Sequence, residues 1–161
     1  MKLVATLIAV SVVSIVIMDI TSALLRATGM IAGISPGLVG KWLESAMKGK
    51  IFVGDIRTSP GQPVSLQKFL LYHYTIGIIL TLVLYSIVIV SKIAPVPWWL
   101  PMSFGFATTL IPALLMFPGM GFGFFGLKGP SEYLLLRTAI LNHLAFGLGL
   151  TLAFQWLIKI R

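Results

Sequence analysis

Apolar residues run along this chain in four long stretches, about 3–25, 69–90, 98–117 and 134–158, and only one polar segment between them, 26–68, is long. A helix needs about 20 apolar residues to cross the hydrocarbon of a bilayer. Each stretch is long enough, so the pattern predicts helices over about 3–25, 66–91, 98–117 and 132–158. Inside 26–68 the pattern changes to one face of a helix. Ser35-Pro36 reads as N-cap and first helical position, and Gly49 as the stop. Between them Leu38, Val39, Trp42, Leu43, Ala46 and Met47 share one side, with Lys41, Glu44, Ser45 and Lys48 on the other. This predicts a short amphipathic helix over about 36–48 lying in the membrane interface, with Lys41 and Trp42 as its anchors. Residues 51–63 read as an irregular return in which Asp55 and Arg57 can pair. The short connector 93–97 makes the second and third long helices antiparallel neighbours. The expected fold is an all-α membrane protein: a four-transmembrane-helix bundle forming one integral membrane domain over 1–161.

One polar pattern occurs twice. Residues 71–82 and 141–152 both fit L-x-H-x3-G-x2-L-T-L, and they hold the only two histidines of the chain. The pattern lays His73, Gly77, Thr81 and Tyr85 along one row of the second long helix, and His143, Gly147, Thr151 and Gln155 along one row of the fourth. Gly and Thr on a ridge let membrane helices approach closely, so Gly77, Thr81, Gly147 and Thr151 read as a packing stripe. These two helices run parallel in a four-span chain, which allows the stripes to face each other across a pseudo-two-fold axis. The third long helix holds Pro112, which should kink or break it and free carbonyls one turn earlier. Pro118, Gly119, Met120 and Gly121 then open an uncharged, glycine-rich turn ending at Gly126. It reads either as irregular backbone dipping into the membrane or as an interfacial loop.

Composition agrees with a membrane. Hydrophobic residues make up 58% of the chain and charged ones 10%, with mean hydropathy +1.02. A soluble domain of 161 residues cannot hide that much apolar surface. The absence of cysteine excludes disulfides, thiolate metal sites and thiol catalysis. A net charge of +8 suggests nucleic acid in a soluble protein; here the cations sit mostly beside apolar helices, so anionic lipid headgroups are the expected partner, not nucleic acid. A protein partner or homo-oligomer cannot be read from the sequence. Arg26, Lys41, Lys48, Lys50, Arg57, Lys68, Lys128 and Arg137 lie on one side of the predicted membrane, and Lys2, Lys92, Lys159 and Arg161 on the other. The imbalance predicts a cytoplasmic loop 26–68 with both termini outside. Lys2 and Thr21-Ser22-Ala23 resemble a secretory signal, but the apolar stretch is long and Asp19 precedes the cut, so the first helix is expected to stay uncleaved.

The candidate chemistry lies in the helices. Asp19, late in the first, either reaches the interface or faces protein or water, since an ionisable side chain in lipid costs a few kcal/mol. Asp19, His73, Tyr74, Asn142 and His143 all fall toward the cytoplasmic ends of their helices and form the candidate polar intramembrane site. Three functions fit. One is passage of a proton or small solute, with histidines titrating near neutrality. Another is a metal or haem b site on His73 and His143, with Asp19 as a further ligand. The third is a structural or regulatory subunit acting by packing alone. No nucleophile elbow supports a hydrolase.

Several motifs converge on a known family. Met18-Asp19, then Gly37-Leu38-Val39-Gly40-Lys41-Trp42, His73-Tyr74 with Gly77, Pro118-Gly119-Met120-Gly121, and His143 with Phe146-Gly147-Leu148-Gly149-Leu150 resemble, in order and spacing, the bacterial membrane proteins of domain of unknown function family 2938. The resemblance covers nearly the whole chain. It implies a small multi-pass inner-membrane protein with an uncleaved first span, and it brings no activity, cofactor or catalytic residue. The family pattern has Arg before the loop Trp, where this chain has Lys41; the charge is kept and a bidentate contact is lost.

Overall fold

The computed structural model describes residues 2–31 and 33–157. In chain order it contains α1 (Lys2–Ala27), α2 (Pro36–Met47), α3 (Leu66–Val90), α4 (Trp99–Ala107), a π-helical segment (Pro112–Met116), the single turn α5 (Phe117–Gly119), a 3₁₀ turn (Phe124–Gly126) and α6 (Glu132–Leu157). There is no strand among the described residues. Four of the described segments are long and apolar enough to cross a membrane: Lys2–Ala27, Leu66–Val90, Trp99–Gly119 and Tyr133–Trp156. The all-α, four-helix expectation therefore holds. The predicted helix end at residue 158, and the cations Lys159 and Arg161, lie outside the described residues.

Pro112 acts locally. It has no N–H to give the Thr108 carbonyl. The chain turns at 108–109, the Ala113 N–H returns to the Thr109 carbonyl at 3.1 Å, and Pro112–Met116 widen to π geometry.

The chain forms two compact units, whose boundaries fall inside all four long segments. The first unit holds the residues up to Ala23, Tyr74–Thr108 and the residues from Leu141 onward. Its core is Val10, Ile15, Leu84, Phe146, Leu150 and Phe154. Glycines set its close contacts. A Cβ on Gly77 would meet Ile15 and Ser11 of α1, one on Gly149 would meet Ser14 of α1, and one on Gly105 of α4 would come within 2.3 Å of the Gly147 Cα. At the glycine rung the two repeated stripes thus face different helices rather than each other, because α6 meets a second glycine, Gly105, on α4.

The second unit holds Leu24–His73 and Thr109–Ile140. Trp42, Ile56, Phe117, Met120, Phe122 and Leu135 make its core, and Leu38, Val39, Leu43 and Ala46 of α2 pack against them. Ser35 occupies the N-cap of α2 through its backbone, whose carbonyl accepts the Leu38 and Val39 N–H groups, and its hydroxyl makes no cap bond. The α2 anchors are turned inward. Trp42 is 5% exposed and Lys41 is 7% exposed, so neither reaches out from the helix as an interfacial anchor does. The cause is the return segment, whose carbonyls draw both side chains in: the Trp42 indole N–H donates to the Ile51 carbonyl at 2.9 Å, and the Lys41 ammonium donates to Ile56 and Ser59 carbonyls at 3.2 and 2.6 Å.

Candidate functional site

In the first unit two polar pairs form between apolar helices. The Tyr74 hydroxyl of α3 donates to the Asp19 carboxylate of α1 at 3.3 Å. The Thr108 hydroxyl, just past α4, lies 2.7 Å from Nδ1 of His143 on α6. Register places both pairs toward the same end. Asp19 lies five residues beyond Ser14, and His143 six before Gly149, the residue that rests on Ser14. At a rise of 1.5 Å per residue, each is about 8–9 Å along its helix from that contact.

Thr108 also decides a tautomer. Its hydroxyl lies 2.6 Å from the Gly105 carbonyl, which can only accept. With one proton to give, Thr108 gives it there and accepts from His143 Nδ1–H. Beside His143 on α6, the Asn142 Oδ1 is buried with no hydrogen-bond partner among the described residues, and so is the Ser11 hydroxyl of α1. Unsatisfied buried polar atoms are few in folded proteins and call for a water, an ion or a bound molecule. Sequence reading missed Thr108 and Gly105. The available signal was Thr108-Thr109, a polar pair in an apolar run just ahead of Pro112.

In the second unit His73 stacks on Phe69, with centroids 5.4 Å apart and planes 17° from parallel. The glycine-rich turn is sewn to the return segment. Val53 and Ile56 N–H groups donate to the Gly119 and Met120 carbonyls, each at 3.0 Å. Only glycine fits at two of these places: a Cβ on Gly119 would strike the Trp42 indole and the Ile51 carbonyl, and one on Gly121 (φ 83°) the Gly54 carbonyl. Pro118, Gly119, Met120 and Gly121 therefore close over Trp42, and Met120 is fully buried. Ion pairs finish the rim. Arg57 grips Asp55 at 2.6 Å and holds its carboxyl down to about 2, while the Arg57 guanidinium lies 5.4 Å from the Phe122 ring centre. Glu44 takes hydrogen bonds from Lys68 and Tyr72; the Lys68 bond is the largest cause holding its carboxyl below the usual range.

Among the described residues no three His, Cys, Asp or Glu side chains gather closely enough to hold a metal ion. What the fold defines is an all-helical protein with four helices fit to cross a bilayer and paired polar side chains between apolar faces. The chain belongs to the family described as protein of unknown function (DUF2938), whose model matches residues 8–156, a span holding every motif from Met18-Asp19 to Leu150. No curated protein and no solved structure matches it.

Proposed function

We propose that this is a four-span protein of the bacterial inner membrane that moves a proton, or a small solute with one, past Asp19, Tyr74, Asn142 and His143. One observation carries the reading: the Tyr74–Asp19 hydrogen bond between two apolar helices. A carboxylate within a span costs a few kcal/mol and is usually kept for work. Its neighbours suit the work. Imidazole titrates near neutrality, and Asn142 and Ser11 present buried atoms with no protein partner among the described residues, where water or solute would bind. The membrane orientation that goes with this reading puts 26–68 in the cytoplasm, from the excess of cations on that side.

The test is flux. Purified protein in liposomes with an internal pH dye should dissipate an imposed gradient, and Asp19→Asn should abolish this. Equal flux from Asp19→Asn and the parent, or none from the parent, ends the proposal. A second reading, a packing subunit of a larger complex, is favoured by the Gly105–Gly147 approach, which needs no transport to explain it. It predicts a protein that co-purifies with a stoichiometric partner.

A further inference from the structure

The C-terminal end of α2 carries an open groove of about 660 Å³ whose walls include Ser45, Lys48, Lys50, Phe52 and Ser59. We propose that this groove binds the phosphate of an anionic phospholipid, with Lys48 and Lys50 as the cations and Phe52 set against the acyl chain. The proposal rests on the membrane placement above and is independent of the proton reading.

Charge is the first argument. The two ion pairs found among the described residues engage Glu44 with Lys68 and Asp55 with Arg57. Lys48 and Lys50 are exposed and take part in neither. A third cation stands behind the wall. The Lys41 ammonium is bonded to the carbonyl of Ser59, a wall residue, and to that of Ile56, so carbonyl dipoles rather than a carboxylate hold it there. A helix C-terminus ordinarily repels anions through its open carbonyls. Here those of Glu44, Ser45 and Ala46 accept the N–H groups of Lys48, Lys50 and Gly49, so the lysines are left to set the sign of the site.

Apolar exposure is the second argument, and it selects a lipid over a free phosphate. Phe52 is 72% exposed and Ile51, also in the wall, is 38% exposed. Bulky apolar side chains in the same groove as two lysines fit a ligand with an anionic head and a hydrocarbon tail. Inorganic phosphate gains nothing from them.

The full chain is tested in mixed micelles of phosphatidylglycerol and phosphatidylcholine, counting retained lipid by native mass spectrometry across a phosphatidylglycerol titration. The parent should retain phosphatidylglycerol in preference. Lys48→Gln with Lys50→Gln should weaken retention roughly thirtyfold, at about fivefold per lysine near an anionic surface. The charge-keeping pair Lys48→Arg with Lys50→Arg should retain it, Phe52→Ser should lose part, and Lys128→Gln, outside the groove, should lose none. Unchanged retention in the Gln pair overturns the site, as does an equal loss in Lys128→Gln, which would mean diffuse charge. Release of the lipid by millimolar inorganic phosphate would make it a free-anion site and overturn the lipid assignment. A chain that stays in aqueous solution without detergent would instead end the membrane placement itself.

Discussion

Thr108 has one hydroxyl proton and two neighbours at hydrogen-bond distance, the Gly105 carbonyl and His143 Nδ1. With the hydroxyl proton given to that carbonyl, the imidazole carries its own proton on Nδ1. Replacing Thr108 by Val keeps the shape and strands that N–H in a half-buried place, at a cost of about 1 kcal/mol. The melting temperature in detergent should fall accordingly, and Thr108→Ser should restore most of it. Nitrogen-15 shifts of the His143 ring check the premise directly: a deprotonated Nδ1 in the parent protein would sink it. Asp19, Tyr74 and His143 were legible in the sequence because each interrupts an apolar run, and polar side chains there are few. Thr108 was not, since threonine in such a helix is ordinarily glue. Lys41 misled for the opposite reason. Its place on the helix wheel looks solvated, and its burial depends on carbonyls of Ile56 and Ser59 that only the folded return segment supplies.

At the scale of elements, the glycine contacts differ in what opposes them. A Cβ on Gly105 would lie 2.3 Å from the Gly147 Cα and 2.6 Å from its nitrogen, so two backbones must part. A Cβ on Gly77 would meet a side chain instead, Ile15, with Cδ1 at 2.3 Å and Cγ1 at 2.8 Å, and a side chain shifts at less cost than a backbone. Overpacking against backbone costs about 1–3 kcal/mol, and an off-rotamer side chain about 0.5–1.5 kcal/mol. Alanine returns about 1 kcal/mol of helix propensity in both. Gly77→Ala should therefore be the milder of the two in thermal unfolding, and Gly105→Ala the more destabilising. The reverse order would mean that α4 and α6 are not in contact at this rung. The long helices and α2 were legible from hydropathy and from the Ser35-Pro36 start and Gly49 stop. The π segment after Pro112 was foreseen only as a kink or break. The clasp between 51–56 and the Pro118 turn left no trace except its glycines, because backbone hydrogen bonds have no side-chain signature.

For the molecule as a whole the deciding asymmetry is charge. Of twelve basic residues, eight fall in or next to the segments joining α1 to α3 and α5 to α6. Such a bias sets orientation when it lies close to the ends of spans, and most of these residues do. On the membrane placement proposed above, Lys41 counts toward it even though buried, because the bias acts on the chain before the carbonyls of Ile56 and Ser59 fold around it. The chain has no cysteine, so one introduced thiol is a unique reporter of side. Gln62 lies exposed in the long loop, and Ser91 lies exposed just after α3. In intact cells a membrane-impermeant maleimide should label Ser91→Cys, and should reach Gln62→Cys only after the inner membrane is opened. Labelling of Gln62→Cys in intact cells would invert the topology. It would also move the Lys48–Lys50 groove to the outer leaflet, so the same experiment fixes which lipid pool that groove can sample.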